Sequence, residues 1–154
     1  MPKKWLDTFV DFHNQIVPQI PVLDMENGEL PIDKADLLAR YEQTIQRNGI
    51  AISVLLIENK TEIIGFSAVW IANKDKSTIA DGGLTAVAER WRKNNIGTFL
   101  KAILLKYLTE KLPNINLINT SNSSINVPVL KINQTLGFEK KADEFIIEFK
   151  NSIL

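Results

Sequence analysis

The spacing of apolar residues changes along the chain, and each change predicts a new element. Residues 5–17 carry an apolar side chain at every third or fourth position, which is the period of one helix face, until Pro18 interrupts the pattern. A second helix is predicted to begin after an N-cap at Asp33, three residues before Asp36, and to end at Gly49. Its apolar stripe consists of Leu37, Leu38, Tyr41 and Ile45.

From residue 50 onward the pattern becomes that of extended chain. Residues 50–57 and 63–71 are rich in β-branched and aromatic side chains, and the turn residues 59–60 between them predict a hairpin. A further strand is predicted over residues 77–88, in which Asp-Gly-Gly at residues 81–83 indicates a bulge or the close approach of another backbone. The three strands together predict an antiparallel meander.

The second half of the chain alternates helices with strands. Residues 96–112 place apolar side chains at positions i, i+3, i+4 and i+7, which predicts an amphipathic helix. A short strand is predicted over residues 115–120, followed by a helix that is capped by one of residues 121–124 and stopped at Gly137. Residues 138–149 predict a last strand.

Composition excludes several classes of protein. The 154 residues include 18 basic and 18 acidic side chains, so the formal net charge is zero and a general nucleic-acid or membrane-surface binder is not expected. Cysteine is absent and His13 is the only histidine, which excludes thiolate metal sites, a cysteine nucleophile and a two-histidine metal site. The longest apolar run, residues 50–57, is broken by Ser53 and is far shorter than a membrane span. We therefore expect one soluble, cytoplasmic domain over residues 1–154, with no metal.

The junction between the third strand and the third helix carries the first candidate residues. A loop such as residues 92–98 presents unpaired backbone N–H groups at a helix N-terminus, where the helix dipole favours anions, and Gly97 lets a ligand approach the backbone. Arg90, Arg92 and Lys93 add positive charge to the same edge. A diphosphate would suit this loop. For the loop alone, a basic turn that simply starts a surface helix is the simpler interpretation.

Asparagines form the second group of candidates. Asn122 precedes the last predicted helix, and Asn126 and Asn133 lie seven residues apart on nearly the same face of it. We expect their amides to point away from the core, where they form either a solvated polar surface or the wall of a groove. A different face of the helix is expected to be core and consists of Val129, Ile132 and Leu136.

Together these motifs resemble those of the GNAT acetyltransferases. The matching residues are Arg92-x-x-Asn95-x-Gly97, Thr120-x-Asn122-x-x-x-Asn126-x-Pro128 and Ile132-Asn133-x-x-Leu136-Gly137-Phe138. The spacing within residues 111–113, 120–122 and 130–133 is most similar to mycothiol-synthase-like and tandem GNAT proteins, and residues 20–29 resemble the start of a C-terminal half of such proteins. The resemblance implies an α/β (α+β) fold with a mixed, mostly antiparallel sheet that is splayed at its centre and carries helices on both faces.

The resemblance also implies an activity. It implies an N-acetyltransferase that uses acetyl-CoA as its cosubstrate and transfers the acetyl group to a primary amine of a small molecule by direct attack. Acetyl-CoA would lie where two parallel strands splay apart, with the strand that ends at Val87 bonding the pantetheine and residues 115–120 forming the other wall. The further cofactor-binding residues that it implies are Arg92, Asn94, Asn95, Ile96, Gly97, Thr98, Asn126 and Asn133.

Proton removal requires another residue. An amine must lose a proton to form an amide, so a carboxylate or a water relay is expected near the thioester. Asp81 is the best candidate because strand alternation predicts that it shares one face with Thr85 and Val87, which makes Asp81 and Thr85 candidate catalytic residues. Asp81 has an equally good interpretation as a solvated residue beside two glycines. Glu62 and Glu89 are weaker candidates for the base.

Two positions depart from the pattern of the family. Many GNAT enzymes carry a tyrosine at the position of Asn133, where the hydroxyl can protonate the leaving thiolate, and an amide does that poorly. Asn95 replaces the usual first glycine of the pyrophosphate loop. We interpret Asn95 as a substitute for glycine, since asparagine is the other residue that most readily accepts a positive φ.

Two other classes of function stay open at this point. The chain could be a catalytically weak CoA-binding or regulatory module of the same fold. It could also be an interaction subunit whose exposed sheet or first helix pairs with another chain. The sequence identifies neither the acceptor amine nor the oligomeric state, and a homodimer is compatible with it.

Overall fold

Up to Gly137, the described helices and strands follow one another in the order that the sequence predicts. The computed structural model of the chain describes residues 1–21 and 31–143. The helices are α1 (Leu6–Ile16), α2 (Lys34–Gln46), α3 (Ile96–Lys111) and α4 (Val127–Thr135). The strands are β1 (Ile50–Glu58), β2 (Glu62–Ile71), β3 (Ile79–Val87) and β4 (Leu117–Asn119).

Two sequence predictions fall largely outside these residues. The resemblance of residues 20–29 to the start of a C-terminal half lies almost wholly outside the described residues. The same is true of the second half of the last strand predicted over residues 138–149. Its first half, residues 138–143, is described and contains no strand.

The first three strands form the predicted antiparallel meander. β1 pairs with β2, and β2 pairs with β3. The turn between β1 and β2 has positive φ at both central residues, Asn59 (50°) and Lys60 (63°). Such left-handed turns match the twist of a two-stranded ribbon, which explains why this short connection forms a hairpin.

The predicted bulge lies in β3. Ser67 pairs with Thr85 and Val69 pairs with Gly82, so two residues of β3, Gly83 and Leu84, lie opposite a single residue of β2. An extra residue of this kind bends the strand and reverses which face the following side chains occupy. The bulge therefore separates β3 into two parts with different alternation.

The fourth strand makes the sheet mixed. The strand order is β1-β2-β3-β4, and β4 runs parallel to β3. Their pairing begins at Ile79 with Leu117 and ends at Asp81 with Asn119, so β4 is shorter than the predicted residues 115–120. Because β3 continues to Val87, the two strands are paired only at one end, as expected for a splayed sheet.

The two faces of the sheet are covered by different helices. Apolar residues of α1 and α2 pack on one face around Phe66, whose ring meets that of Phe9 edge-on with centroids 5.0 Å apart. Helix α3 packs on the other face with Leu104 and Leu108 against Val69. Burying each such side chain contributes about 1.5–3 kcal/mol.

Only part of the apolar pattern of α3 is buried. Leu100, Leu104 and Leu108 have 1–3% of their surface exposed, but Phe99, Ile103 and Tyr107 are between 38% and 57% exposed. The sequence predicted an amphipathic helix from the spacing of all these residues. The helix carries two apolar rows, and only one of them reaches the sheet.

The ends of α2 show how local sequence sets helix limits. The Asp33 carboxylate accepts a hydrogen bond from the Asp36 backbone N–H (2.7 Å), and the Asp36 carboxylate accepts one from the Asp33 N–H (3.3 Å). This reciprocal capping box confirms the predicted N-cap. At the C-terminus, Asn48 adopts a φ of 58°, and the Gly49 N–H donates to the Thr44 carbonyl at 2.8 Å.

Helix α4 begins later than the sequence indicated. Its N-cap is Asn126, and the predicted cap within residues 121–124 is wrong. Ser123 instead closes the preceding turn, because its carbonyl accepts from the Asn126 N–H at 3.0 Å. The helix stops as predicted at Gly137, which has a φ of 82°, with the Phe138 N–H donating to the Asn133 carbonyl at 3.0 Å.

Candidate functional site

The start of α3 has the backbone geometry expected of an anion site. Asn95 is its N-cap with a φ of 58° and a ψ of 12°, which confirms that the position needs a left-handed residue. The first N–H group bonded within the helix belongs to Phe99, which donates to the Asn95 carbonyl at 3.0 Å. The backbone N–H groups of residues 94–98 have no acceptor among residues 1–21 and 31–143. They form a row of unsatisfied donors at the positive end of the helix dipole.

Side chains of the same loop hold its shape. The Arg92 Nε donates to the Val87 carbonyl at 3.0 Å, and its guanidinium also donates to the Gln19 amide oxygen at 2.5 Å. The Asn94 amide donates to the carbonyls of Trp91 (3.3 Å) and Arg92 (3.2 Å). Arg92 and Asn94 therefore brace the loop between β3, the end of α1 and the start of α3.

The positive charge at this edge is smaller than the sequence suggested. Arg90 forms salt bridges with Glu58 at 2.6 Å and Glu62 at 2.8 Å. These carboxylates offset its charge, so Arg90 is not a free cation beside the loop. Lys93 is exposed in a left-handed conformation with a φ of 65°.

Gly97 has a packing role. A Cβ at this residue would lie 2.8 Å from the Ile132 Cδ1 of α4, 3.7 Å from the Val87 Cγ2 and 3.8 Å from the Thr85 Cγ2 of β3. The sequence interpretation was that glycine makes room for a ligand. The structure shows that its missing side chain lets α3, α4 and β3 meet. We call the group Thr85, Val87, Gly97 and Ile132 the wedge.

Two further glycines lie where β3 and β4 separate. A Cβ on Gly82 would lie 3.2 Å from the Asn119 carbonyl oxygen and 3.1 Å from Thr120, so β4 approaches the backbone there. A Cβ on Gly83 would lie 1.8 Å from the indole ring of Trp70. The predicted close approach is thus confirmed. From Gly83 to Val87 the edge of β3 that faces away from β2 has no strand partner in the described part of the chain. We call it the open edge.

The face on which Asp81 lies differs from the prediction. Thr85 is the partner of Ser67 on β2, and their hydroxyl oxygens are 2.8 Å apart. Asp81 is the partner of Trp70. Since Ser67 and Trp70 are three residues apart, they project to opposite faces of the sheet, and their partners do the same. Asp81 therefore lies on the α1 face, whereas Thr85 and Val87 lie on the α3 face.

Asn126 and Asn133 do not form a common polar surface. Asn126 caps α4, and its carbonyl accepts from the Leu130 N–H at 3.1 Å. Asn133 is buried, with 7% of its surface exposed, and its amide oxygen accepts a hydrogen bond from the Lys101 Nζ at 2.5 Å. The expectation that both amides point away from the core is therefore wrong for Asn133. Packing of α4 on α3 turns that residue inward.

Lys101 is a residue that the sequence analysis missed. It lies one turn after Gly97 on α3 and is only 5% exposed. Burial lowers the pKa of its ammonium from 10.5 to about 8. The Nζ also lies 4.4 Å from the centroid of the Phe138 ring. The available signal was a lysine within the buried row that contains Leu100, Leu104 and Leu108.

The two weaker candidates for the base lie elsewhere. Glu62 and Glu89 line a groove of about 570 Å³ between α1 and the ends of β2 and β3. Glu62 is engaged by Arg90, as described above. The groove also contains Asp11 and Gln15 of α1, so it is a polar surface on the α1 side of the sheet.

Several solved acetyltransferases share this arrangement of helices and strands. An acetyltransferase of the GNAT family from Streptococcus pneumoniae is 17% identical, and the match covers 96% of this chain and 88% of that chain with a TM-score of 0.71. The chain has the GNAT fold. The aminoglycoside N-acetyltransferase AAC(6')-Iy in complex with CoA is 20% identical over 99% of this chain and 92% of that chain, with a TM-score of 0.65.

A tandem GNAT protein also has this fold. The match to a tandem GNAT protein from the clavulanic acid biosynthesis pathway is 20% identical with a TM-score of 0.69 and covers 90% of this chain but 39% of that chain. No protein-family model matches the sequence, and no curated protein does. None of the helices in the described ranges is long and apolar enough to span a membrane. Residues 1–21 and 31–143 contain no cluster of acidic and histidine side chains that could hold a metal ion.

Proposed function

We propose that the protein is an acetyl-CoA-dependent N-acetyltransferase that acts on a primary amine of a small molecule. One observation carries the proposal: on a GNAT fold, the unsatisfied N–H groups of residues 94–98 lie next to the open edge of β3. The N–H groups suit a diphosphate, and a strand edge suits the amides of pantetheine. The similar fold of an aminoglycoside N-acetyltransferase in complex with CoA supports the same cosubstrate.

The residues near the start of α3 would divide the binding of acetyl-CoA among them. The N–H groups of Asn94, Asn95, Ile96, Gly97 and Thr98 would hold the pyrophosphate. Arg92 would act by bracing the loop, because its guanidinium is already bonded to Val87 and Gln19. The open edge, which ends at Val87, would receive the pantetheine, while Asn126 and Asn133 would contribute from α4.

The acceptor amine would attack the thioester carbonyl directly. Asp81 is exposed on the α1 face, beside the point where β3 leaves β4. Because the two strands diverge beyond Asp81 and Asn119, the gap between them connects the faces of the sheet. A carboxylate on the α1 face would therefore take a proton from an amine that meets the thioester in this gap. Thr85 would line the gap from the α3 face.

Two measurements test this function. CoA should raise the melting temperature, since a ligand at 100 times its dissociation constant stabilises the folded state by about 2.7 kcal/mol. Mixing the protein with acetyl-CoA and a panel of amines should release free thiol, and Asp81→Asn should lower that turnover roughly 10²-fold without changing CoA affinity. No melting shift at millimolar CoA would overturn both the enzyme and the CoA-module proposals. Unchanged turnover in the variant would exclude Asp81 as the base.

A catalytically weak CoA-binding module is the second candidate. The position of Asp81 favours this candidate, because Asp81 projects to the face of the sheet opposite the one on which Thr85 and the rest of the wedge lie. A melting shift with CoA but no thiol release with any amine would support it. We also propose, from the sequence alone, that residues 1–154 form one cytoplasmic GNAT-like domain that resembles the C-terminal half of mycothiol-synthase-like proteins.

A further inference from the structure

Lys101 is a buried cation whose partners are both uncharged. Its Nζ donates to the Asn133 amide oxygen and lies over the face of the Phe138 ring. Among the described residues, no carboxylate lies within 4.0 Å of it. An ammonium that is taken out of water without an anion costs free energy, which a leucine at the same position would avoid.

The carboxylates on neighbouring elements are directed elsewhere. Glu110, on the same helix, pairs with Lys106 at 3.8 Å. Glu58 of β1 and Glu62 of β2 both bind Arg90. Asp81 of β3 projects to the opposite face of the sheet, and the charged residue of α4, Lys131, is exposed. The described residues therefore supply no charge that explains why an ammonium is kept in this position.

The position of Lys101 relative to the open edge suggests an explanation. β3 and β4 are parallel, so α3, which connects them, runs back in the opposite direction. Moving from Gly97 to Lys101 advances roughly 6 Å along the helix, away from the loop and toward the point where the strands separate. A Cβ on Gly97 would meet Ile132, and Lys101 binds the next residue of α4, Asn133. The direction of α3 thus places Lys101 on the side of Gly97 that lies away from the loop and toward the gap.

We propose that Lys101 is the acid of the acetyl transfer, an inference that rests on the function proposed above. The amine nitrogen forms a bond to the thioester carbonyl carbon, and the carbon–sulfur bond breaks. The electron pair of that bond goes to sulfur, which takes a proton from the Lys101 ammonium to give the CoA thiol. The excess proton of the amine goes to Asp81 or water, and solvent returns a proton to the neutral lysine.

Asn133 is then a positioning residue. The Asn133 amide is a poor acid, but its oxygen accepts a hydrogen bond from the Lys101 ammonium, which can give up a proton. The low pKa of Lys101, about 8, brings the acidity of the ammonium close to that of a thiol. Proton transfer to the leaving sulfur from an ammonium of lowered pKa costs less than transfer from an ordinary lysine would.

The test measures the bound cosubstrate directly and needs no acceptor amine. CoA is bound to the protein, and ionisation of its thiol is followed with pH from the ultraviolet difference spectrum of the thiolate. Next to an ammonium, the thiol should ionise at a pH roughly one to three units lower than it does in Lys101→Met. Lys106→Met is the matched control, because Lys106 is an exposed lysine of the same helix and should leave the thiol unchanged.

A second variant keeps the test valid if Lys101→Met does not fold. Asn133→Asp places a carboxylate next to the Lys101 ammonium. Because the two charges offset each other, the midpoint, which is the pH at which half of the CoA thiol is ionised, should rise most of the way to its value in Lys101→Met. If the midpoint in the parent equals that in Asn133→Asp, and that in Lys101→Met where this variant folds, the inference is wrong while the proposed function stands. If the parent binds no CoA in calorimetry, the proposed function fails and this inference fails with it.

Discussion

Helices α2 and α3 begin in opposite ways, although both start at an aspartate or asparagine. At α2, Asp33 is extended, with a φ of −103°, and its carboxylate reaches forward to bind the Asp36 N–H. At α3, Asn95 is left-handed, and its side chain makes no capping hydrogen bond in the described part of the chain. The chain closes the N-terminus of α2 with its own carboxylates and leaves that of α3 open to an external anion.

The same contrast holds along the bodies of the two helices. The charged side chains of α2 lie at the surface, and Lys34 pairs with Asp7 of α1 at 2.8 Å. Helix α3 keeps one lysine inside, against α4. A helix that only supports the fold satisfies its polar groups internally, whereas α3 retains both unsatisfied N–H groups and a buried charge. Such costly features are expected where a ligand completes the site.

The largest effect is expected from a substitution that disfavours the left-handed conformation of Asn95. Asn95→Val should weaken CoA binding at least 10-fold, because a β-branched residue resists a φ of 58° by about 1–3 kcal/mol and crowds the bound phosphate. Calorimetric titration of CoA measures this. Asn95→Gly is the control and should preserve or improve affinity. Loss of affinity in the glycine variant would mean that the amide itself contacts the cofactor.

A smaller effect, on the free energy of unfolding, is expected at the capped N-terminus of α2. Asp33→Ala should lower the free energy of unfolding by about 1 kcal/mol, since it removes a cap and leaves the Asp36 N–H without its acceptor. Urea denaturation measures the loss. CoA affinity should not change, because α2 has no part in the proposed site. A weaker affinity for CoA in this variant would contradict the functional contrast between the two helices.

The last effect is a pH dependence that belongs to α3 alone. The pKa of Lys101 is near 8 in the folded chain and near 10.5 when exposed. Between these values the unfolded chain binds more protons, so the parent should gain stability relative to Lys101→Met as the pH rises. Urea unfolding of both proteins at several pH values gives the difference. Lys106→Met should show no such trend. The absence of a trend in Lys101→Met would place the Lys101 ammonium in contact with water, and a trend of the opposite sign would mean that folding stabilises the charged form.

Much of this contrast was predictable from local sequence. Asp33 and Asp36 have the spacing of a capping box, and the structure confirms it. Asn95 was expected to accept a left-handed conformation because it replaces the usual first glycine of the GNAT pyrophosphate loop and because asparagine readily adopts a positive φ. Both predictions concern backbone within a few residues, where turn chemistry and capping decide the outcome.

The parts that failed depend on contacts between distant segments. Simple alternation put Asp81 on the face of Thr85, but one extra residue in the bulge inverts the pattern. Asn133 was expected at the surface, since nothing in its own helix shows that Lys101 will meet it. The apolar rows of α3 are chemically alike, and only the sheet decides which one is buried.

The most direct test of the open helix start is to observe backbone N–H groups while CoA is added. In ¹⁵N-labelled protein, saturating CoA should shift the amide resonances of Asn95, Ile96, Gly97 and Thr98 most strongly, because a phosphate hydrogen-bonds their N–H groups. The amides of residues 34–36, at the closed start of α2, should stay in place. CoA binding that leaves residues 95–98 unshifted, or no binding at all, would contradict the account.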